Sequence, residues 1–69
     1  MYGFNDFRDS QLTYAINIDI DIMLDDGYKV NEILEWFESD ECYENYELRS
    51  KREHKKVINL SKELIKNHI

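Results

Sequence analysis

The chain has 69 residues, 15 acidic and 9 basic side chains, a formal charge of −6 and 42% hydrophobic residues. That describes one small domain, residues 1–69, too apolar for a disordered chain and lacking the roughly 20-residue apolar run of a membrane span. One cysteine, Cys42, excludes an internal disulfide and a zinc finger, and Met1 to Gln11 hold no signal-peptide pattern, so the expected setting is a reducing cytoplasm.

The first segment carries two conflicting patterns. Ile16, Ile18, Ile20, Ile22 and Leu24 alternate with Asn17, Asp19 and Asp21, as in a half-buried strand. Yet no second alternating run exists to pair with it, aspartate is poor in strands, and Asp9 or Ser10 can cap a helix start. The spacing therefore predicts a helix over about 10–25. The alternative is an α+β chain in which 14–24 form a strand that pairs across a dimer. Gly27 follows Asp25 and Asp26 and predicts a left-handed helix stop, with Tyr28 packing back on Met23 or Leu24.

Val30, Ile33, Leu34 and Phe37 fall at i, i+3, i+4 and i+7 and predict a second helix over 30–39. Glu32 sits in its first turn, Glu35 and Glu38 lie off the apolar face, and Trp36 lies on the flank of that face. The last segment predicts one long amphipathic helix over 41–67. Tyr43, Tyr46, Ser50, His54, Val57, Ser61, Leu64 and His68 form its apolar stripe, widened by Ile58, Leu60 and Ile65. Arg49, Arg52, Lys55, Lys56, Lys62 and Lys66 form the opposite side. Leu48 falls on that basic side and breaks the period. The fold class that follows is all-α, a small three-helix domain with a long C-terminal helix.

No constellation supports catalysis. Asp21, Asp25, Asp26 and Glu32 have part of a calcium-loop spacing, but Met23 stands where an oxygen ligand is needed and Gly27 comes one place late. His54 and His68 are about 21 Å apart along one helix and cannot share a metal. Cys42 lies beside Glu41 and Glu44, which oppose a thiolate. No nucleophile, metal site or cofactor site is expected, and the chain is not read as an enzyme.

Charge layout is the more informative feature. Residues 1–48 carry 13 acidic and 2 basic side chains, whereas residues 49–69 carry 7 basic and 2 acidic ones. A second helix bearing Glu32, Glu35 and Glu38 would be repelled by phosphates, so tight duplex DNA binding is not expected. The acidic field instead attracts a protein with a basic surface or cleft. The expected contact residues are Asp21, Asp25, Asp26, Glu32, Glu35, Trp36 and Glu38, with Tyr2 and Phe4 as candidate apolar anchors and Phe7 expected in the core. Tyr, Ile, Asn and Lys are frequent, while Pro is absent and Ala15 is the sole alanine, a usage typical of AT-rich genomes such as those of phages. The expected function is a small acidic inhibitor or modulator of a partner protein, of the kind phages or mobile elements direct at host nucleic-acid-handling or defence systems. The alternatives are a regulator that touches nucleic acid with its basic C-terminal face, and an assembly subunit. A stripe longer than two short helices can cover also predicts a homodimer. Its seam would run through Tyr43, Tyr46, Ser50, His54, Val57, Ser61, Leu64 and Ile65.

Overall fold

A computed structural model describes the backbone of residues 2–69 and the side chains from Arg8 onward. The side chains of Tyr2, Phe4 and Phe7 lie outside the described residues. Four helices follow in order: α1 (Tyr2–Asp25), α2 (Val30–Glu38), α3 (Asp40–Asn45) and α4 (Lys51–Leu64), with a 3-10 turn at Ile65–Asn67. No strand occurs among the described residues. The protein is all-α, and the strand alternative for 14–24 is overturned.

The helix resolves the alternating isoleucines by splitting them. Leu12, Ile16 and Ile20, spaced four apart, are buried, while Ile18 and Ile22 face outward at 40% and 52% exposure. The helix also begins earlier than the caps predict, at Tyr2. Asp9 and Ser10 are interior positions. The Asp9 carboxylate accepts from Lys56 Nζ at 3.0 Å, which holds α1 to α4, and its carbonyl accepts from Thr13 Oγ1 at 2.8 Å. A side chain engaged across the fold no longer competes for the backbone amides.

Gly27 ends α1 as expected, with φ +94°. Tyr28 N donates to Met23 O and Gly27 N to Leu24 O, both at 3.0 Å, the paired bonds of a Schellman stop. The same stop recurs where the sequence predicts unbroken helix. Leu48 N donates to Tyr43 O at 3.0 Å and Glu47 N to Glu44 O at 3.1 Å, with Glu47 at φ 53°. The expected 41–67 helix is thus two helices. Leu48, out of phase with the stripe, is the residue this turn folds inward, at 6% exposure. Ser50 then restarts the chain by accepting from Glu53 N at 3.2 Å.

These two turns make opposite predictions. An L-residue in the left-handed region costs about 1–2 kcal/mol, and glycine avoids most of that cost. Glu47→Gly is therefore expected to stabilise the protein by about 0.5–1 kcal/mol. Gly27→Ala should lose about 1 kcal/mol, although nothing lies within 4 Å of the added methyl. Thermal unfolding should move up for the first and down for the second, by roughly 4–8 °C per kcal/mol at this chain length.

The break also changes which helix covers which. At about 1.5 Å per residue, the 24-residue α1 spans about 36 Å, nearly the full 39 Å of the molecule. The 14-residue α4 is the shorter partner and packs along it. Val57 is fully buried and Ile65 nearly so, in one cluster with Leu12, Ile16, Ile20, Ile33, Phe37, Cys42 and Leu48, and Ser61 between them is fully buried as well. Polar ties close the ends. His54 Nε2 donates to Phe37 O at 2.8 Å, satisfying a carbonyl left over at the end of α2. His68 Nε2 donates to Asn17 Oδ1 at 3.1 Å.

Arg8 grips Glu53 with both ends of its guanidinium, at 2.6 and 2.8 Å. That pairing, with a further bond from Arg49 N, holds the Glu53 carboxyl down to about 2 from an ordinary 4.5. A depressed carboxyl stabilises the fold above its unfolded pKa and loses that contribution as pH falls toward the folded one. Denaturant midpoints measured from pH 6 to pH 2 should therefore fall in acid. Glu53→Gln should cost about 1–2 kcal/mol at neutral pH and remove part of that acid dependence.

Candidate functional site

The last turns of α1, the Gly27 turn, the outer side of α2 and one side of α3 (Glu41 and Asn45) border a groove of about 520 Å³. Its apolar lining is Ile22, Met23, Tyr28 and Trp36. Five carboxylates line it as well, from Asp19, Asp26, Glu32, Glu35 and Glu41, with Ser39 and Asn45 at the α3 end. No Lys, Arg or His is among the lining residues.

Each wall has a local cause. The Schellman stop turns the chain so that Tyr28, half exposed, stands beside Met23. Glu32 accepts from Lys29 N at 2.8 Å, which fixes the entry of α2 and holds that carboxylate at the rim. Ile33 and Phe37 take the buried face of α2, which leaves Glu35 exposed and Trp36 half buried on the flank. The indole meets Phe37 edge-on at 5.1 Å and Tyr46 edge-on at 6.0 Å, so aromatic packing sets its orientation. Ser39 accepts from Cys42 N and its hydroxyl donates to Trp36 O, joining the end of α2 to the start of α3.

Two titratable groups lie next to the groove's lining. The Tyr46 hydroxyl donates to the Asp19 carboxylate. Burial, then this bond, raises the phenol well above its ordinary range, so it stays protonated. Cys42 is fully buried, and its thiol is pushed up to about 12 by burial first and the Asp19 charge second. The charges that oppose the thiolate are thus not those of the sequence neighbours Glu41 and Glu44: the causes are burial and Asp19. Among the described residues, no three His, Cys, Asp or Glu side chains are grouped to hold a metal ion. No helix of the described residues is long and apolar enough to cross a membrane.

Four of the expected contact residues, Asp26, Glu32, Glu35 and Trp36, come together in this groove. Asp21 and Asp25 are exposed nearby on α1, outside its lining. Glu38 is elsewhere, beside a second hollow shared with Tyr43, Lys51, His54 and Lys55. Of the apolar lining, the sequence pattern singles out Trp36 but not Ile22 or Met23, and it gives Tyr28 only a capping role. A usable signal existed in Ile22, an apolar residue outside the Leu12–Ile16–Ile20 stripe.

The residues expected to form a dimer seam have other uses. Val57, Ser61 and Ile65 lie inside the core of one chain, and the Ser61 hydroxyl donates to Ile58 O at 2.7 Å. Ser50 caps α4, His54 closes α2, and Tyr46 serves Asp19. Tyr43 packs edge-on against His54 at 5.5 Å, and Leu64 is half buried against the core. The reason is the length of α1, which covers a stripe expected to lie open. Comparison of the chain with family models, curated proteins and solved structures gives no match.

Proposed function

We propose that this chain is a non-catalytic protein-binding module that inhibits or modulates a partner by holding a basic segment of it in the acid-rimmed groove. The observation that carries the reading is the joint presence of one indole, a half-exposed tyrosine and five carboxylates around one groove with no lining cation. Aromatic anchors supply affinity, and the surrounding charge steers and selects a partner of opposite sign. A phage or mobile-element origin, cytoplasmic action and a nucleic-acid-handling or defence protein as the target complete the proposal. The bound segment would then be one that normally meets phosphates.

Trp36 is the only tryptophan, so its emission reports on the groove without a label. Titration with a lysine- and leucine-containing peptide is expected to shift that emission saturably. The shift should weaken as salt rises beyond about 0.1 M, where charges more than ~10 Å apart are screened. A glutamate-rich peptide of equal length should have no effect. No response to the basic peptide would overturn the proposal.

One observation favours a second reading. Lys51, Arg52, Lys55, Lys62 and Lys66 are exposed on or just beyond α4, while Lys56 is held by Asp9. Such a face suits a polyanion. The acidic groove opposes tight duplex binding. A mobility shift of duplex DNA at submicromolar protein in about 0.15 M salt, where counterion release gives little help, would favour this reading over the first. A homodimer would have to use a face other than the α4 stripe.

A further inference from the structure

Beyond the groove, α1 carries an apolar ridge on the side away from the core. Tyr14, Ile18 and Ile22 are 70%, 40% and 52% exposed. They are spaced four residues apart, so each lies about 40° further round the helix than the last. That rotation carries the ridge into the groove, where Ile22 is part of the lining beside Trp36. Ridge and groove are one continuous track. By the same helical arithmetic, Asp21 and Asp25 lie one row to one side of Ile18 and Ile22 and Asp19 one row to the other, while Asp26 follows Ile22 at the same spacing just past the end of α1. An apolar helix face is normally covered, and among the described residues the core covers α1 along Leu12, Ile16, Ile20 and the Met23–Leu24 end, leaving Tyr14, Ile18 and Ile22 open.

We propose that this track is the docking surface for an amphipathic helix of the partner, apolar along one seam and flanked by Lys and Arg on both sides. The inference rests on the reading of the groove as a protein-binding site and specifies what that site takes. Residues four apart form the ridges that interdigitate when two helices pack. A strand-like occupant would need an open sheet edge, and no strand exists among the described residues. The carboxylates on both flanks of the ridge define the charge of the occupant. They also argue against a second copy of this chain. A two-fold contact sets a surface against itself, and here it would set acidic flank against acidic flank. The partner's seam lies along Tyr14 and Ile18, and one large apolar residue enters the groove against Trp36.

Two probe peptides without tryptophan test this. One places leucines four apart between lysines and is helical. The other has two central residues replaced by proline. Trp36 emission is titrated with each, using the unmodified protein, Ile18→Glu and Tyr14→Glu. Both positions are exposed, and circular dichroism confirms that each variant folds. The helical peptide is expected to bind about tenfold more tightly than the interrupted one, the scale of losing a well-placed anchor. Ile18→Glu should weaken it about tenfold and Tyr14→Glu by a smaller factor. Equal binding of both peptides, unaffected by Ile18→Glu, would overturn the helix inference and leave the groove reading standing. If neither peptide moves Trp36 emission at about 100 µM, a concentration that detects even weak complexes, both readings fall. Sedimentation at twice the chain mass, abolished by Ile18→Glu, would show that a second copy covers the ridge and would also overturn the proposal.

Discussion

Val57→Asp is expected to unfold the protein. The side chain is fully buried in the cluster that joins α1, α2 and α4. Removing its apolar burial loses about 1.5–3 kcal/mol. A carboxylate without a partner in that place costs several kcal/mol more. The total stability of a chain this size is on the order of 3–10 kcal/mol, so the substitution exceeds or exhausts it. Circular dichroism should show loss of helix and of a cooperative melt. Val57→Ala, at about 1–3 kcal/mol, should remain folded with a lower midpoint. The helical periodicity of 41–67 taken alone predicts something else, namely a dimer that falls apart into helical monomers. A folded, helical monomer carrying Val57→Asp would mean that Val57 belongs to an interface between chains.

Reversing two groove carboxylates together, Glu35→Lys with Glu41→Lys, should produce the largest change in binding. The lining charge would pass from −5 to −1. Loss of a basic peptide by about 10–100-fold is expected at low salt, with a flattened salt dependence, because charge across an interface acts mainly through steering and complementarity. Glu35 and Glu41 are the better choice than Glu32. Replacing Glu32 also removes the bond to Lys29 N and so disturbs the start of α2. Glu38→Lys is the matched control, because Glu38 lies beside the Tyr43–His54 hollow and not the groove. It should cost clearly less than the double reversal, because Glu38 is not among the groove's lining residues. An equal loss from Glu38→Lys would mean that overall charge matters and the groove does not.

The sequence by itself determined the local features of this protein. Gly27 marks a helix stop because left-handed backbone suits glycine, and the stop forms there with both expected bonds. The burial of Ile33 and Phe37, with Trp36 on the flank, follows from a single helical period over nine residues. Even the break inside the C-terminal segment left a trace, since Leu48 fell out of phase there. Reading that trace as a turn needed Glu47 in a left-handed conformation, which local propensity disfavours and the surrounding packing imposes. Tertiary structure alone decided how far α1 extends, and therefore whether the Val57–Ser61–Ile65 stripe faced solvent, a second chain or this one. The side of α1 that enters the core, by contrast, follows from helical spacing, because Leu12 extends the Ile16–Ile20 row and polar Thr13, Asn17 and Asp21 interrupt the outer one. What tertiary structure supplied is the set of neighbours that leaves Ile18 and Ile22 uncovered. The groove depends on that arrangement, because turning Ile20 inward is what leaves Ile22 beside Trp36 among the carboxylates.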